Sequence, residues 1–493
     1  MTSPLAPAQP DPIASAQVTP DRVAPDRVAP DRVALTPTEL RHVLMGLILG
    51  LFLAALDQTI VAVALPDIAQ QLAGRELLAW VVSGYMLAMT VSTPIFGKLG
   101  DLLGRRRLLS VSIILFIVAS CLCGLAQSMP QLVAARMLQG VAAGGLMAII
   151  QALIGDLIAP AERGRYQAWF SGMFALASLI GPLLGGLLTS QWSWRWVFWI
   201  NLPLGAMALW LCHQRLANLV ETRRKAQVDY LGSALLILGL GSLLFLISQL
   251  GQQPQWMTTG NAVFLLLAVV ATALFLWRQH VAPEPLISPE LLKIPAIRAG
   301  WMILFFASFQ VIGLSVLIPL HAQGAGGIQS SAVQLMAIAF GAPLGAFIGG
   351  KLSAHLGRYK PMIVSGAALL PLSVALLALL PNQHELVTLA ILLLCGTALG
   401  LQFPTSLVAV QNAAPLQHLG SATGVCGLFR GLGGAVGAAM LSSLFWHLTS
   451  QDHLSGRPFQ HLLLIDAGIA LIPLLIALRL EDRQLSRTLE RKA

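Results

Sequence analysis

Asp57 and Arg136 are charged residues set inside long apolar runs. In a bilayer each would cost from about 3 kcal/mol to 10 or more, so each needs a partner or a task. A carboxyl group there is pulled two ways, since burial favours the neutral acid and a nearby guanidinium favours the anion. That balance suits proton uptake and release, or a site for a cationic substrate. The competing reading is a permanent ion pair that only fixes two helices. Two further charges have the same kind of setting: Asp466 could snorkel to an interface or form an additional polar site, and Arg430 could meet an anionic group or cap a neighbouring helix.

A second set of residues sits at a polar break, Gly97-Lys98-Leu99-Gly100-Asp101-Leu102-Leu103-Gly104-Arg105. Asp101 can accept from free N–H groups at another helix's N-terminus, and Arg105 can pair with an acid such as Asp156. The simpler alternative is that Arg105 to Arg107 are only orientation anchors. Other chemistry has little to work with. The ten histidines (His42, His213, His280, His321, His355, His384, His418, His447, His453 and His461) are scattered, with no nucleophile-and-base or metal-ligand grouping. This weighs against a membrane enzyme acting on lipids, and no metal or cofactor is expected. The glycines around Gly97 do not form a phosphate loop, so any energy must come from a gradient.

These residues are positioned by elements that only a membrane accommodates. The chain has 493 residues, 56% hydrophobic and 10% charged, far from the roughly 25% charge of a soluble domain. Its mean hydropathy is +0.76. Runs near the roughly 20 apolar residues needed to cross a bilayer recur along it, without the alternation of a lipid-facing barrel. About fourteen spans are predicted, at 43–65, 78–97, 108–126, 131–157, 168–189, 196–214, 230–250, 261–278, 299–321, 331–353, 361–380, 386–408, 422–447 and 460–480. The five cysteines fall within or at the ends of these runs and are read as small core residues.

The net charge of +9 is not a nucleic-acid footprint, because the basic residues lie in the breaks. With an even number of spans, one side holds nearly all of them, Arg105 to Arg107, Arg163, Arg165, Arg223, Arg224, Lys225, Lys351 and Arg358 included; the other has only Arg75, Arg195 and Arg457. The positive-inside rule makes the first side cytoplasmic, with both termini on it. Residues 1–42, where Pro-Asp-Arg-Val-Ala recurs at Pro20, Pro25 and Pro30, read as a disordered cytoplasmic tail with no cleavable signal.

The pattern G-K-L-x-x-x-L-G-R returns at Gly350 to Arg358, again between the second and third helix of a six-helix block, with Ala354 where the first copy has Asp101. This predicts two homologous halves, 43–214 and 299–480, separated by two inserted helices and linkers at 215–298, with a cytoplasmic tail at 481–493. Two parallel repeats with substrate at mid-depth between them form an alternating-access design. The loop from Gly97 to Arg106 resembles the signature loop of the major facilitator superfamily. Gly181-Pro182-Leu183-Leu184-Gly185-Gly186 resembles the antiporter motif of its exporters. Leu56 to Val61, Ala64-Leu65-Pro66 and Arg195 to Gly205 are similar to its fourteen-spanner drug:proton antiporter branch; Ala62 departs from it, the branch often having asparagine there.

The resemblance implies an all-α polytopic membrane protein of the major facilitator fold. It also implies multi-pass insertion in a cell inner membrane and proton-coupled export of amphipathic or hydrophobic small molecules, that is, multidrug efflux. A specific metabolite transporter of the same fold is the alternative, and a non-transporting receptor or scaffold a third. By the same resemblance Gly97, Asp101, Gly104 and Arg105 form a cytoplasmic gating loop. Gly181, Pro182, Gly185 and Gly186 seal span 5 against ion leak, unless they serve ordinary helix packing. The implied partners are the lipid bilayer, protons, a small amphipathic substrate that could be cationic, and no nucleic acid; a periplasmic adaptor is left open. Span 1 runs outward with Asp57 roughly 12 Å before its end, and span 4 runs inward with Arg136 roughly 8 Å below the same surface. The pair is therefore expected to meet in the central cavity.

Overall fold

The computed structural model describes residues 37–215, 228–250, 258–325, 328–380, 384–451 and 458–485. Most of the predicted tails lie outside these residues, as do Arg223, Arg224, Lys225 and Arg457. In a hydrocarbon layer a segment must satisfy its own N–H and C=O groups, and long apolar runs do so as helices. The described chain is accordingly a succession of helices: α1 (Pro37–Gln71), α2 (Leu78–Leu103), α3 (Arg105–Leu125), α4 (Met129–Leu157), α5 (Pro160–Gln191), α6 (Trp196–Trp199), α7 (Asn201–Arg215), α8 (Tyr230–Leu250) and α9 (Thr259–Val281). After the linker helix α10 (Pro289–Lys293) come α11 (Pro295–Ala325), α12 (Ile328–Leu356), α13 (Lys360–Leu379), α14 (Glu385–Ala413), α15 (Leu419–Gln451) and α16 (Pro458–Leu478).

Among the described residues, 13 helices are long and apolar enough to cross a membrane. The predicted span 6 is the exception, divided at Ile200 into the short α6 and α7. Helices also run past the predicted limits on the basic side. α1 is helical from Pro37 and α5 from Pro160, because hydropathy detects only the apolar length while backbone hydrogen bonding continues through polar flanks such as Glu162 to Arg165. Pro at the first turn of α4, α5 and α13 fits a position whose N–H has no helical acceptor.

Packing repeats between the halves. α2 with α4, α1 with α5, α3 with α4 and α3 with α7 are matched by α12 with α14, α11 with α15, α13 with α14 and α13 with α16. Each half has its own core: Leu47, Leu51, Phe116, Ile149 and Ile150 in one, and Leu314, Leu370, Val374, Leu392 and Leu462 in the other, all buried. The inserted helices pair with each other, and α8 leans on α2 and α15 at the seam between the halves. Phe245 of α8 stacks on Trp80 of α2 at 5.4 Å and meets Phe264 of α9 at 4.3 Å. α9 turns Val263, Leu266, Val269 and Trp277 outward, an apolar surface that suits lipid.

Candidate transport site

Four features stand out within this framework. The first is centred on Asp57. Its Oδ2 accepts from Arg136 Nη1 at 2.5 Å, and its Oδ1 accepts from Gln139 Nε2 and Asn201 Nδ2, each at 2.9 Å. Ser120 of α3 bonds Gln139 at 2.8 Å and Asn201 at 3.3 Å. Arg136 also donates to the Val81 carbonyl, and its guanidinium lies 4.2 Å from the Tyr85 ring centroid. Asp57 is 0% and Arg136 1% exposed.

Sequence reasoning brings Asp57 and Arg136 together but expects them in the central cavity, and there the structure differs. Neither lines the cavity; both are sealed within the first half. The reason is helical rotation: Asp57 faces α4 and α7, while Gln58, one position and about 100° further round, faces the cavity. Gln139, Asn201, Ser120 and Tyr85 were missed. Gln139 stands three residues after Arg136, a spacing that shares one helix face and was the available signal. Asn201, inside the Arg195 to Gly205 stretch, opens α7 at the break after α6.

The second feature is the cavity itself, about 690 Å³ between the halves. Its wall is largely apolar, with Met86, Met89, Met147, Phe174 and Phe403, and α8 contributes Leu244 and Ile247. It extends to Trp80 and Trp446 near the ends of α2 and α15 remote from Arg105. Among the described lining residues, Arg430 is the one charged side chain, with no acid opposite it.

The third feature closes the basic end. Asp101 Oδ1 accepts from the Gly420 N–H at 2.9 Å and Oδ2 from Ser421 N–H at 2.8 Å, two donors in the first turn of α15 that the helix itself cannot satisfy. Arg105 donates to Asp101 at 2.8 Å and to the Ala152 carbonyl at 2.8 Å, and pairs with Asp156. Gly97 packs so tightly on Gly420 that a Cβ would overlap its carbonyl oxygen. The second copy reproduces this approach, Gly350 lying against Gly164 of α5, but Ala354 provides no acceptor. Gly104 and Gly357 occupy equivalent turns at φ 95° and 65°, the left-handed region that favours glycine.

A further part of this closure was not read from the sequence. The segment leaving α9 places Glu284 2.8 Å from Lys98, and the Leu286 carbonyl accepts from Ser421 Oγ at 2.9 Å. Thus the connector of the inserted helices touches both halves beside Asp101.

The fourth feature is Asp466 in α16. Snorkelling does not occur: Asp466 is 0% exposed, and neither carboxyl oxygen has a hydrogen-bond partner. Only its backbone carbonyl is engaged, by Gln310 Nε2 of α11 at 3.2 Å. Asp466 therefore joins neither Asp57 nor the cavity lining. In α5, Gly181 packs against Thr59 and Gly185 against the Ile60 carbonyl, so α5 approaches α1 within a turn of Asp57. Pro182 is exposed, and a Cβ on Gly186 would make only ordinary contact.

The Major Facilitator Superfamily model matches residues 47–438. An uncharacterized MFS-type transporter of Mycobacterium tuberculosis is 32% identical over 414 residues, covering 83% of this chain and 60% of that protein, so the chain spans about 60% of this relative's length. The multidrug transporter protein MdtP of Bacillus subtilis is 33% identical over 402 residues, 81% of this chain and 74% of MdtP. The human organic anion transporter MFSD10 superposes with a TM-score of 0.64 at 16% identity, covering 90% of this chain and 100% of that one, a likeness of fold.

Proposed function

We propose that this chain, which belongs to the major facilitator superfamily, exports amphipathic or hydrophobic small molecules across a cell inner membrane in exchange for protons. The observation that carries this reading is an apolar cavity adjoining a sealed carboxylate network through consecutive residues of α1: Gln58 lines the cavity and Asp57 centres the network. Thioether and aromatic walls accept varied apolar bodies because they repack around them. The name of MdtP, a multidrug transporter, agrees with such a substrate range.

In this proposal Asp57 with Arg136 couples proton movement to transport. Asp101, Arg105 and Asp156 hold the cytoplasmic end closed while the cavity faces outward. Gly181 and Gly185 keep α5 tight against α1 and limit ion leak, while Pro182 and Gly186 complete the motif. In this reading both termini are cytoplasmic, which the bias of basic residues toward one side supports. The test is transport by the purified chain in proteoliposomes under an imposed pH gradient, with neutral, cationic and anionic amphipathic dyes. Dye movement that follows the gradient and collapses with a protonophore is the expected result. An absence of movement for every dye and gradient would favour a scaffold.

The Glu284 contact gives a graded prediction. Glu284 is a third exposed, so its pair with Lys98 contributes no more than about 1 kcal/mol. Glu284→Gln is expected to open the cytoplasmic end by less than a factor of ten, read as the distance distribution between spin labels on the basic ends of α2 and α15. A shift as large as that from Asp101→Asn would make the connector a principal part of the closure.

A further inference from the structure

Among the described residues the buried arginines have protein partners, whereas Arg430, exposed on α15, stands apart from them. Arg136 has Asp57, Arg105 has Asp101 and Asp156, Arg163 donates to the Gly155 and Ile158 carbonyls, and Arg278 pairs with Asp229. Arg430 has neither an ion pair nor a hydrogen bond in the structure; its guanidinium lies 5.1 Å from the Phe403 ring centroid. It lines the cavity; on either side of it on α15, Gly427 and Gly431 let Thr93 and Thr90 of α2 pack so close that a Cβ would overlap them.

We infer that Arg430 is the charge-recognition point of the cavity and that the preferred substrates are amphipathic organic anions, an apolar body carrying one carboxylate or sulfonate. This deepens the transporter reading and rests on it. A guanidinium presents five N–H donors in a planar fork that matches such groups. Exposed to a cavity whose other walls are largely apolar and hold no acid, it lacks a counter-charge, and an anion supplies both that charge and acceptors. A cationic substrate finds the opposite situation. Among the described lining residues there is no carboxylate to receive it, Asp57 being sealed in its own network.

Two dyes with one aromatic framework separate charge from apolar affinity: 8-anilinonaphthalene-1-sulfonate is the anion, and N-phenyl-1-naphthylamine lacks the sulfonate. Binding is measured by fluorescence to the full chain in nanodiscs, with empty nanodiscs subtracted, and transport in proteoliposomes. Arg430→Gln is expected to weaken sulfonate binding at least tenfold and leave the neutral dye within twofold; Arg430→Lys should recover part of the loss. Unchanged sulfonate affinity in Arg430→Gln, or equal weakening of both dyes, overturns the inference. If Arg430→Gln fails to fold, Arg430→Lys and salt decide: wild-type sulfonate affinity that is the same in Arg430→Lys and insensitive to salt also overturns it. Transport of the neutral dye without any sulfonate discrimination would retain the transporter and reject anion recognition. Discrimination in binding with no transport of either dye would reject the transporter reading and retain the site.

Discussion

Asp57→Asn is expected to reduce pH-driven transport more than tenfold and, unlike a conservative exchange at an exposed site, to destabilise the protein. The substitution leaves the Arg136 guanidinium buried without its counter-charge, with only neutral acceptors beside it: the introduced amide oxygen, Gln139 Oε1 and the Val81 carbonyl. Breaking one side of a buried pair costs about 3–5 kcal/mol. Thermal unfolding in detergent should show that loss. The double variant Asp57→Asn with Arg136→Gln removes the orphaned charge and should recover most of the stability without recovering pH-driven transport. This combination separates the two readings of the pair. A double variant that still moves substrate down an imposed pH gradient would make Asp57 and Arg136 a structural ion pair, leaving proton coupling to another group, with Asp466 the next to examine.

Asp101→Asn is expected to populate the inward-open state at least ten times more. The carboxylate receives two N–H groups from the first turn of α15 and one from Arg105, so it joins the halves where they close. Asparagine keeps one acceptor oxygen and loses the charge. Hydrogen bonds to charged groups contribute about 1.5–3 kcal/mol each, and a bias of about 1.4 kcal/mol is already tenfold in the ratio of states. Transport should slow although no cavity residue changes. Spin-label distances between the basic ends of α2 and α15 check the shift directly; an unaltered distribution would reduce Asp101 to a folding or orientation role. Ala354→Ser, at the equivalent place in the second half, should have little effect because no acid contact exists there to lose.

The sequence alone was enough for the apolar spans and for the depth of the charges along them, though not for the break at Ile200 or the polar extensions of α1 and α5. About twenty apolar residues with few charges can satisfy their backbone in lipid only as a helix, so the spans were legible, as was the repeat at Gly97 and Gly350. Depth was legible too: counting residues from helix ends put Asp57 and Arg136 at similar levels, and Asp101 and Arg105 at a turn beside other helix ends.

Tertiary structure decided what depends on rotation about the helix axis and on which helices become neighbours. One residue is a turn of about 100°, and that separates the sealed Asp57 from the cavity-lining Gln58. Rotation also buried Asp466, whose position near a helix end is equally compatible with snorkelling, and left Arg430 in the cavity with no acid opposite. Asn201 and Glu284 found their partners through contacts between distant segments. Apolar patterning in a membrane protein records these contacts weakly, because lipid and the protein interior both accept apolar side chains. Hydropathy thus determined how deep each charge lies; packing between the helices determined what it faces.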